Sequence, residues 1–256
     1  MIILLAQAAS AGALDRGADG RFSERSSMHF EVFEDVAIER HSGRRQFERQ
    51  VLEVLESAYD RVGDKLGLRP RAKIRVVIYD PDVFDASFAD RFAFPTVGFY
   101  DRVIHIRGAE RVDNRLAQTL HHEFTHAALD AAAPSYRTPG WVNEGLAEWF
   151  EALAVGKRGL SRGQHSRLAA AVRNGSAPAL AELESPSFVG FAPELAGLAY
   201  LKSYAAIEHL QRRHGDRALR SFMQELLRTR NLNRALKRGF RLDLAKLEER
   251  LASELR

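Results

Sequence analysis

The run Leu116–Leu129 contains no proline and no glycine, and its pattern restricts the fold more than any other stretch of the chain. Leu116, Leu120 and Phe124 recur every four residues, and Ala127 and Ala128 extend the stripe. That spacing predicts an amphipathic helix with one buried face. The same run holds His122-Glu123-Phe124-Thr125-His126. Positions i and i+4 of a helix lie one above the other, so His122 and His126 can direct both imidazoles at a single cation. Glu123 lies about 100° round the helix, at 3.6 residues per turn, and reaches the edge of that position without being a ligand. His121 points about 100° away from His122 and is not expected to be a ligand.

A catalytic zinc takes three protein ligands and keeps a fourth position open for water. Pro134–Gly140 reads as a loop, and a second helix is expected from near Asn143 to about Val155. Its Glu144 is the candidate third ligand. A His-Glu-x-x-His pattern alone also occurs on ordinary solvated helices. A second element at suitable spacing favours the metal site over a helix pair with surface His and Glu. A chain that keeps the ligands without an accessible cleft fits the same residues.

With His122, Glu123, His126, Asn143 and Glu144 in this order, the chain resembles the gluzincin metallopeptidases of the thermolysin and aminopeptidase N type. Asn143-Glu144-Gly145-Leu146-Ala147-Glu148 resembles in particular the broad bacterial peptidase MA-like group. The resemblance is specific over residues 116–151 and looser across the remainder from Met28 on. It implies an α+β, zincin-like fold. An N-terminal lobe of mixed sheet and helix (21–130) would pack on a mainly helical C-terminal lobe (131–256), with the metal site in the cleft.

The resemblance also implies the chemistry. Zn²⁺ is expected on His122, His126 and Glu144, lowering the pKa of water toward about 7. Glu123 would serve as general base and hand its proton to the leaving amine. Ala199-Tyr200-Leu201-Lys202-Ser203 resembles the Tyr-x-Lys-Gly element whose tyrosine stabilises the transition state, with Ser203 in place of glycine. Tyr200 is therefore the candidate oxyanion donor and Tyr204 its substitute; a tyrosine that only packs is the alternative. Glu148, one turn after Glu144, is expected to accept a hydrogen bond from a ligand histidine, against the alternative of an exposed helix glutamate. Two histidines and a carboxylate can also hold non-haem iron, but a glutamate poised as base favours zinc hydrolysis. No Gly-x-Met-Glu-Asn element for a free α-amine is present, which favours an endopeptidase or a narrow-specificity protease acting on a peptide or protein. Two other classes stay open: a non-catalytic metal- or peptide-binding module of the cell envelope, and a structural protein whose helices only pack.

Composition narrows the field further. At 256 residues and 45% hydrophobic, the chain can build a core for one domain or two lobes. The net charge of +4 comes from arginines spread along the chain, so they read as solvated faces and no nucleic-acid partner is expected. There is no cysteine, which excludes thiolate ligands, disulfides and a cysteine nucleophile. Met1–Ala11 is apolar and ends in Ala9-Ser10-Ala11, without a basic start and with a short apolar core. It reads as a clipped or mis-started signal peptide, which would send the protein to the periplasm or the exterior. A plain tail on a cytoplasmic protein is the alternative. The stretch is shorter than the roughly 20 apolar residues that span a bilayer, so no stable membrane span is expected.

Asp15–Ser27 reads as a polar linker, Met28–Phe33 as a strand and Arg44–Leu66 as a long helix ending at Gly63 or Gly67. Lys73–Tyr79 is a strand stopped at Asp80-Pro81-Asp82, and Phe84–Phe94 a short helix with a loop. Val97–Tyr100 and Val103–Ile106 are strands about a turn at Asp101-Arg102. His105 is expected to be partly buried or on the surface. In gluzincins an edge strand pairs with the substrate backbone, and Thr96–Tyr100 is the candidate; an ordinary hairpin is the alternative. Further on, helices are expected over Ser161–Val172, Leu195–Arg213, Arg217–Thr229, Asn231–Phe240 and Asp243–Leu255. Ser185–Pro193 is a loop, and His214-Gly215-Asp216 is a break between two helices.

Overall fold

The computed structural model describes residues 22–35, 44–88, 91, 96–185, 188 and 190–255. The N-terminal stretch read as a leader or a tail lies outside them, as do residues 89, 90 and 92–95 of the Phe84–Phe94 segment and 186, 187 and 189 of the Ser185–Pro193 loop. The chain mixes helix with a five-stranded sheet, and it divides into two units. Of the described residues, one unit holds those up to Tyr59 together with those between Pro70 and Ala127; the other holds Asp60–Arg69 and those from Ala128 on.

In the first unit the strands are β1 (Phe22–Ser26), β2 (Phe30–Asp35), β3 (Ile74–Tyr79), β4 (Gly98–Tyr100) and β5 (Ile104–Arg107). Their order in the sheet is β1-β2-β3-β5-β4. β2, β3 and β5 run parallel, while β1 and β4 are antiparallel to their neighbours. Parallel neighbours need a crossover. The chain between β2 and β3 contains helix α1 (Arg44–Leu66), which runs through Gly63 and stops before Gly67, the later of the two expected ends. Val76, Val77, Ile78 and Tyr79 of β3 are all buried, as a central strand covered on both faces requires.

β1 corrects the reading of Asp15–Ser27 as a linker. Phe-Ser-Glu-Arg-Ser has no apolar alternation, so its strand character is invisible to periodicity. It pairs with β2 from Phe22 opposite Asp35 to Ser26 opposite Glu31. Polar contacts to α1 support it: the Ser23 hydroxyl donates to Glu48 Oε1 at 2.9 Å, and Arg25 Nε lies 3.0 Å from Glu48 Oε2.

Helix α2 (Pro81–Phe88) begins where the sequence suggested only a break. Pro81 takes the first helical position, where its missing N–H costs nothing, and Asp80 Oδ1 accepts from the Asp82 amide at 2.9 Å. Phe84 and Phe88 then join Val77, Tyr79 and Phe99 in one aromatic cluster. His105 belongs to this interior. It is buried, contacts the Tyr79 hydroxyl through Nδ1 at 2.8 Å and stacks on Phe99 at 4.5 Å, more deeply placed than a partly exposed strand position.

Helix α3 (Asn114–Ala132) follows β5. Asp113 Oδ1 caps it, accepting from the Leu116 amide at 2.8 Å. The predicted stripe of Leu116, Leu120, Phe124, Ala127 and Ala128 is buried throughout. Phe124 meets Phe30 of β2 edge-on at 5.6 Å and Tyr59 of α1 at 5.9 Å, which fixes the rotation of α3 about its axis.

The second unit is helical: α4 (Gly140–Ala154), α5 (Arg162–Arg173), a 3-10 turn at Glu182–Glu184, α6 (Pro193–Thr229), α7 (Leu232–Phe240) and α8 (Leu244–Glu254). Ser161 and Gln164 form a reciprocal capping box at the start of α5. α6 is broken at Gly215, whose φ of 78° and ψ of 171° are unavailable to a helix, as the His214-Gly215-Asp216 signal predicts. Trp141 of α4, Phe222 of α6 and Phe240 of α7 stack in series through the core.

One buried charge ties this unit together. Lys202 of α6 is 3% exposed and donates to the Pro178 carbonyl at 2.6 Å and to Glu248 of α8. Glu248 also accepts from the Leu180 amide at 2.9 Å. Removing one partner of a buried pair leaves the other uncompensated, whereas an apolar substitute of similar volume removes the desolvation cost as well. Glu248→Ala is therefore expected to cost about 3 kcal/mol, and Lys202→Met clearly less, in urea denaturation.

Candidate metal centre

The helix bearing His122 and His126 is held by its apolar stripe, and the two rings emerge one turn apart with centroids 4.9 Å from each other at 75°. Both are half-buried. Neighbouring side chains are committed elsewhere. Thr125 is buried and its hydroxyl donates to the His121 carbonyl at 2.7 Å. His121 is buried, with Nδ1 at 2.9 Å from the Ala117 carbonyl.

Glu144 comes from α4, which starts at Gly140, three residues before the expected start near Asn143. The Val142 and Asn143 amides both close on the Pro139 carbonyl at 2.9 Å, and Trp141 is fully buried. That extra turn orients the helix by burying a tryptophan and not by a polar cap. Gly145, next to Glu144, allows α4 to approach α6 closely. A Cβ at this position would stand 2.4 Å from the Ser203 carbonyl oxygen and 2.8 Å from Ile207 Cγ1. Glu144 itself is buried, at 7% exposure.

One ligand atom from each of His122, His126 and Glu144 lies within 4.8 Å of the other two. Two imidazole nitrogens and a carboxylate oxygen form a donor set suited to zinc. Ligands at about 2.0–2.2 Å from a tetrahedral ion stand roughly 3.4 Å apart, so small side-chain rotations bring the three onto one centre. Glu123, buried between the two histidines in sequence, belongs to no such group among the described residues.

A second close group comprises His122, Glu148 and Glu151. It places Glu148 near His122, one of the two histidines expected as ligands. Glu151 was not singled out beforehand. The available signal was the spacing of Glu144, Glu148 and Glu151, which puts three carboxylates along one face of a helix.

Tyr200 sits half-buried on α6, its ring edge-on to Phe188 at 5.2 Å. It is in neither group, which collect only histidine and acidic side chains. The substitute Tyr204 is buried, and its hydroxyl accepts from the Gly159 amide at 2.9 Å. Burial raises its phenol above the ordinary value, against the opposing Gly159 hydrogen bond. Tyr204 thus anchors the turn before α5. β4, which covers most of the Thr96–Tyr100 segment, is an edge of the sheet among the described residues. No helix among them is long and apolar enough to cross a membrane. No protein-family model matches the chain, and no curated protein matches it either.

Proposed function

We propose that the chain is a zinc-dependent metallopeptidase of the gluzincin, peptidase MA-like type with a zincin-like fold, and that it cleaves peptide bonds within a peptide or protein substrate. The observation that carries this reading is the mutual approach of ligand atoms from His122, His126 and Glu144. The sequence around it adds a glutamate adjacent to the first histidine, which a purely structural metal site has no need of.

His122, His126 and Glu144 would hold the ion. Zinc, when bound, supplies Lewis acidity and makes water a competent nucleophile near neutral pH. Glu123 takes a proton from the attacking water as its oxygen bonds to the peptide carbonyl carbon. Glu123 then returns that proton to the nitrogen as the C–N bond breaks, so that the amine leaves neutral. The Tyr200 hydroxyl donates a hydrogen bond to the negative carbonyl oxygen that forms in between. Glu148 accepts from His122, fixing its tautomer and the direction of its lone pair. β4, an edge of the sheet among the described residues, would pair with an extended substrate backbone.

Metal content and cleavage of an unstructured protein test the proposal together. Purified protein is expected to carry about one zinc per chain, matching a single three-ligand site. Stripping with a chelator is expected to abolish cleavage, and added zinc to restore it. Zinc bound without cleavage would favour the non-catalytic binding module. Absence of stoichiometric zinc, even after it is added back, would leave the helix pair as scaffold and end the peptidase reading.

A further inference from the structure

A cavity of about 440 Å³ lies in the helical unit and takes no part in the chemistry above. It is lined by His209, Arg213 and His214 from the stretch of α6 before its break and by Arg250, Ser253 and Glu254 from α8. Glu254 is the only acid among these six, and it is heavily engaged. It accepts from His209 Nδ1 at 2.9 Å, from Arg212 at 2.8 Å and from Arg213 at 3.3 Å. Burial raises its carboxyl, but the His209 hydrogen bond, with the charges and hydrogen bonds of His209, Arg212 and Arg213, outweighs burial and holds it below the ordinary value. It is therefore an anion at neutral pH, and still the lining is positive. Arg250 forms no ion pair with any described residue, and Arg213 shares its one acid with Arg212 and His209.

Two further observations show that this positive charge is not fully met. His214 is depressed below its ordinary value, first by burial and then by the charges of Arg250, His209 and Arg213. His209 is 2% exposed, and with Nδ1 on Glu254 its Nε2 has no hydrogen-bond partner; His214 Nε2 has none either. A buried polar atom left unpaired is destabilising. Cations in the last turn of a helix commonly complement its carbonyl end, which accounts for Arg213 and His214 before the Gly215 break but not for Arg250, which precedes the last turn of α8. It does not account for His209, more than a turn earlier and sealed from solvent. Two permanent cations facing the space disfavour a metal ion.

We propose that this cavity binds an oxyanion of the phosphate class, either inorganic phosphate or the phosphate of a larger molecule. Arg213 and Arg250 supply the charge, since guanidinium forks match phosphate oxygens in geometry. His209, held by Glu254 through Nδ1, carries its unpartnered Nε2 in the wall of the cavity. Ser253 adds a neutral hydroxyl. The volume exceeds what one phosphate fills, leaving room for the group that carries it.

The test is a titration of the full chain with inorganic phosphate, followed through the histidine ring signals by NMR. Saturable shifts at His209 and His214 are expected, and phosphate should move the His214 titration upward by cancelling the positive field around it. Arg250 is exposed, so Arg250→Gln should fold normally. It should weaken phosphate binding by roughly tenfold or more, the equivalent of one charged hydrogen bond, with zinc content unchanged. A parallel arm uses vesicles of phosphatidylcholine with and without phosphatidic acid. Retention only by the acidic vesicles marks a lipid headgroup as the source, and no retention marks a soluble phosphate; either keeps the assignment. No saturable shift at the two histidines, or equal affinity in Arg250→Gln, means an adventitious ion and overturns it.

Discussion

The Glu123→Gln variant is expected to keep its zinc and to lose cleavage by about 10²–10⁴-fold, the usual contribution of a positioned general base. Glutamine has nearly the shape of glutamate, and Glu123 is 8% exposed, so the substitution preserves packing while removing the proton acceptor. The metal measurement separates this from ligand loss: Glu144→Ala should lose both zinc and activity. Cleavage by Glu123→Gln within about tenfold of wild type would remove Glu123 from the mechanism, because an assisting base outside the reaction contributes little.

The second large effect is structural and reaches the site from behind. Gly145→Ala places a Cβ 2.4 Å from a backbone oxygen of α6, an atom that cannot rotate away. Alanine normally stabilises a helix interior by about 1 kcal/mol over glycine. Overpacking costs about 1–3 kcal/mol, and a backbone clash belongs at the upper end of that range. The net expectation is a loss of about 2 kcal/mol, or roughly 4–8 °C in Tm. Glu144 is the preceding residue, so relieving the clash by shifting α4 displaces a proposed ligand, and on the zinc reading the metal affinity should fall with stability. Gly163→Ala is the matched control. It lies in α5, nothing approaches its added Cβ within 4 Å, and its thermal midpoint should stay level or rise.

Much of this fold is written locally. The Arg44–Leu66 helix, the stripe of α3 and the break at Gly215 follow from periodicity and from one glycine that must adopt positive φ. β1 was unreadable because Ser23 and Arg25 gain their partners from Glu48 on a distant helix. α4 begins early because Trp141 has a buried place to go, and no nearby residue announces that place. The candidate site divides in the same manner. His122 and His126 are set by helix geometry alone. Glu144 depends on a loop and on the close approach at Gly145, and Glu151 emerges only when α4 is seen as one continuous face. Tyr200 was suggested by a short sequence likeness, and its ring packs edge-on against Phe188.

The stretch Asp60–Arg69 packs with the helical unit, although the chain then spends Pro70–Ala127 in the other. Lys65 meets Asp216 at 2.8 Å and sits over the Trp149 ring at 5.3 Å, while Arg61 donates to the Leu153 carbonyl at 2.5 Å. Lys65 and Asp216 are 151 positions apart. On the ribosome the basic side chains emerge first and wait for partners that do not yet exist. At about 5–20 residues per second the gap is of order 10 s. The helical unit therefore closes late in synthesis, and a gene fragment starting at Ala128 would lack the cations that meet Asp216, Trp149 and the end of α4.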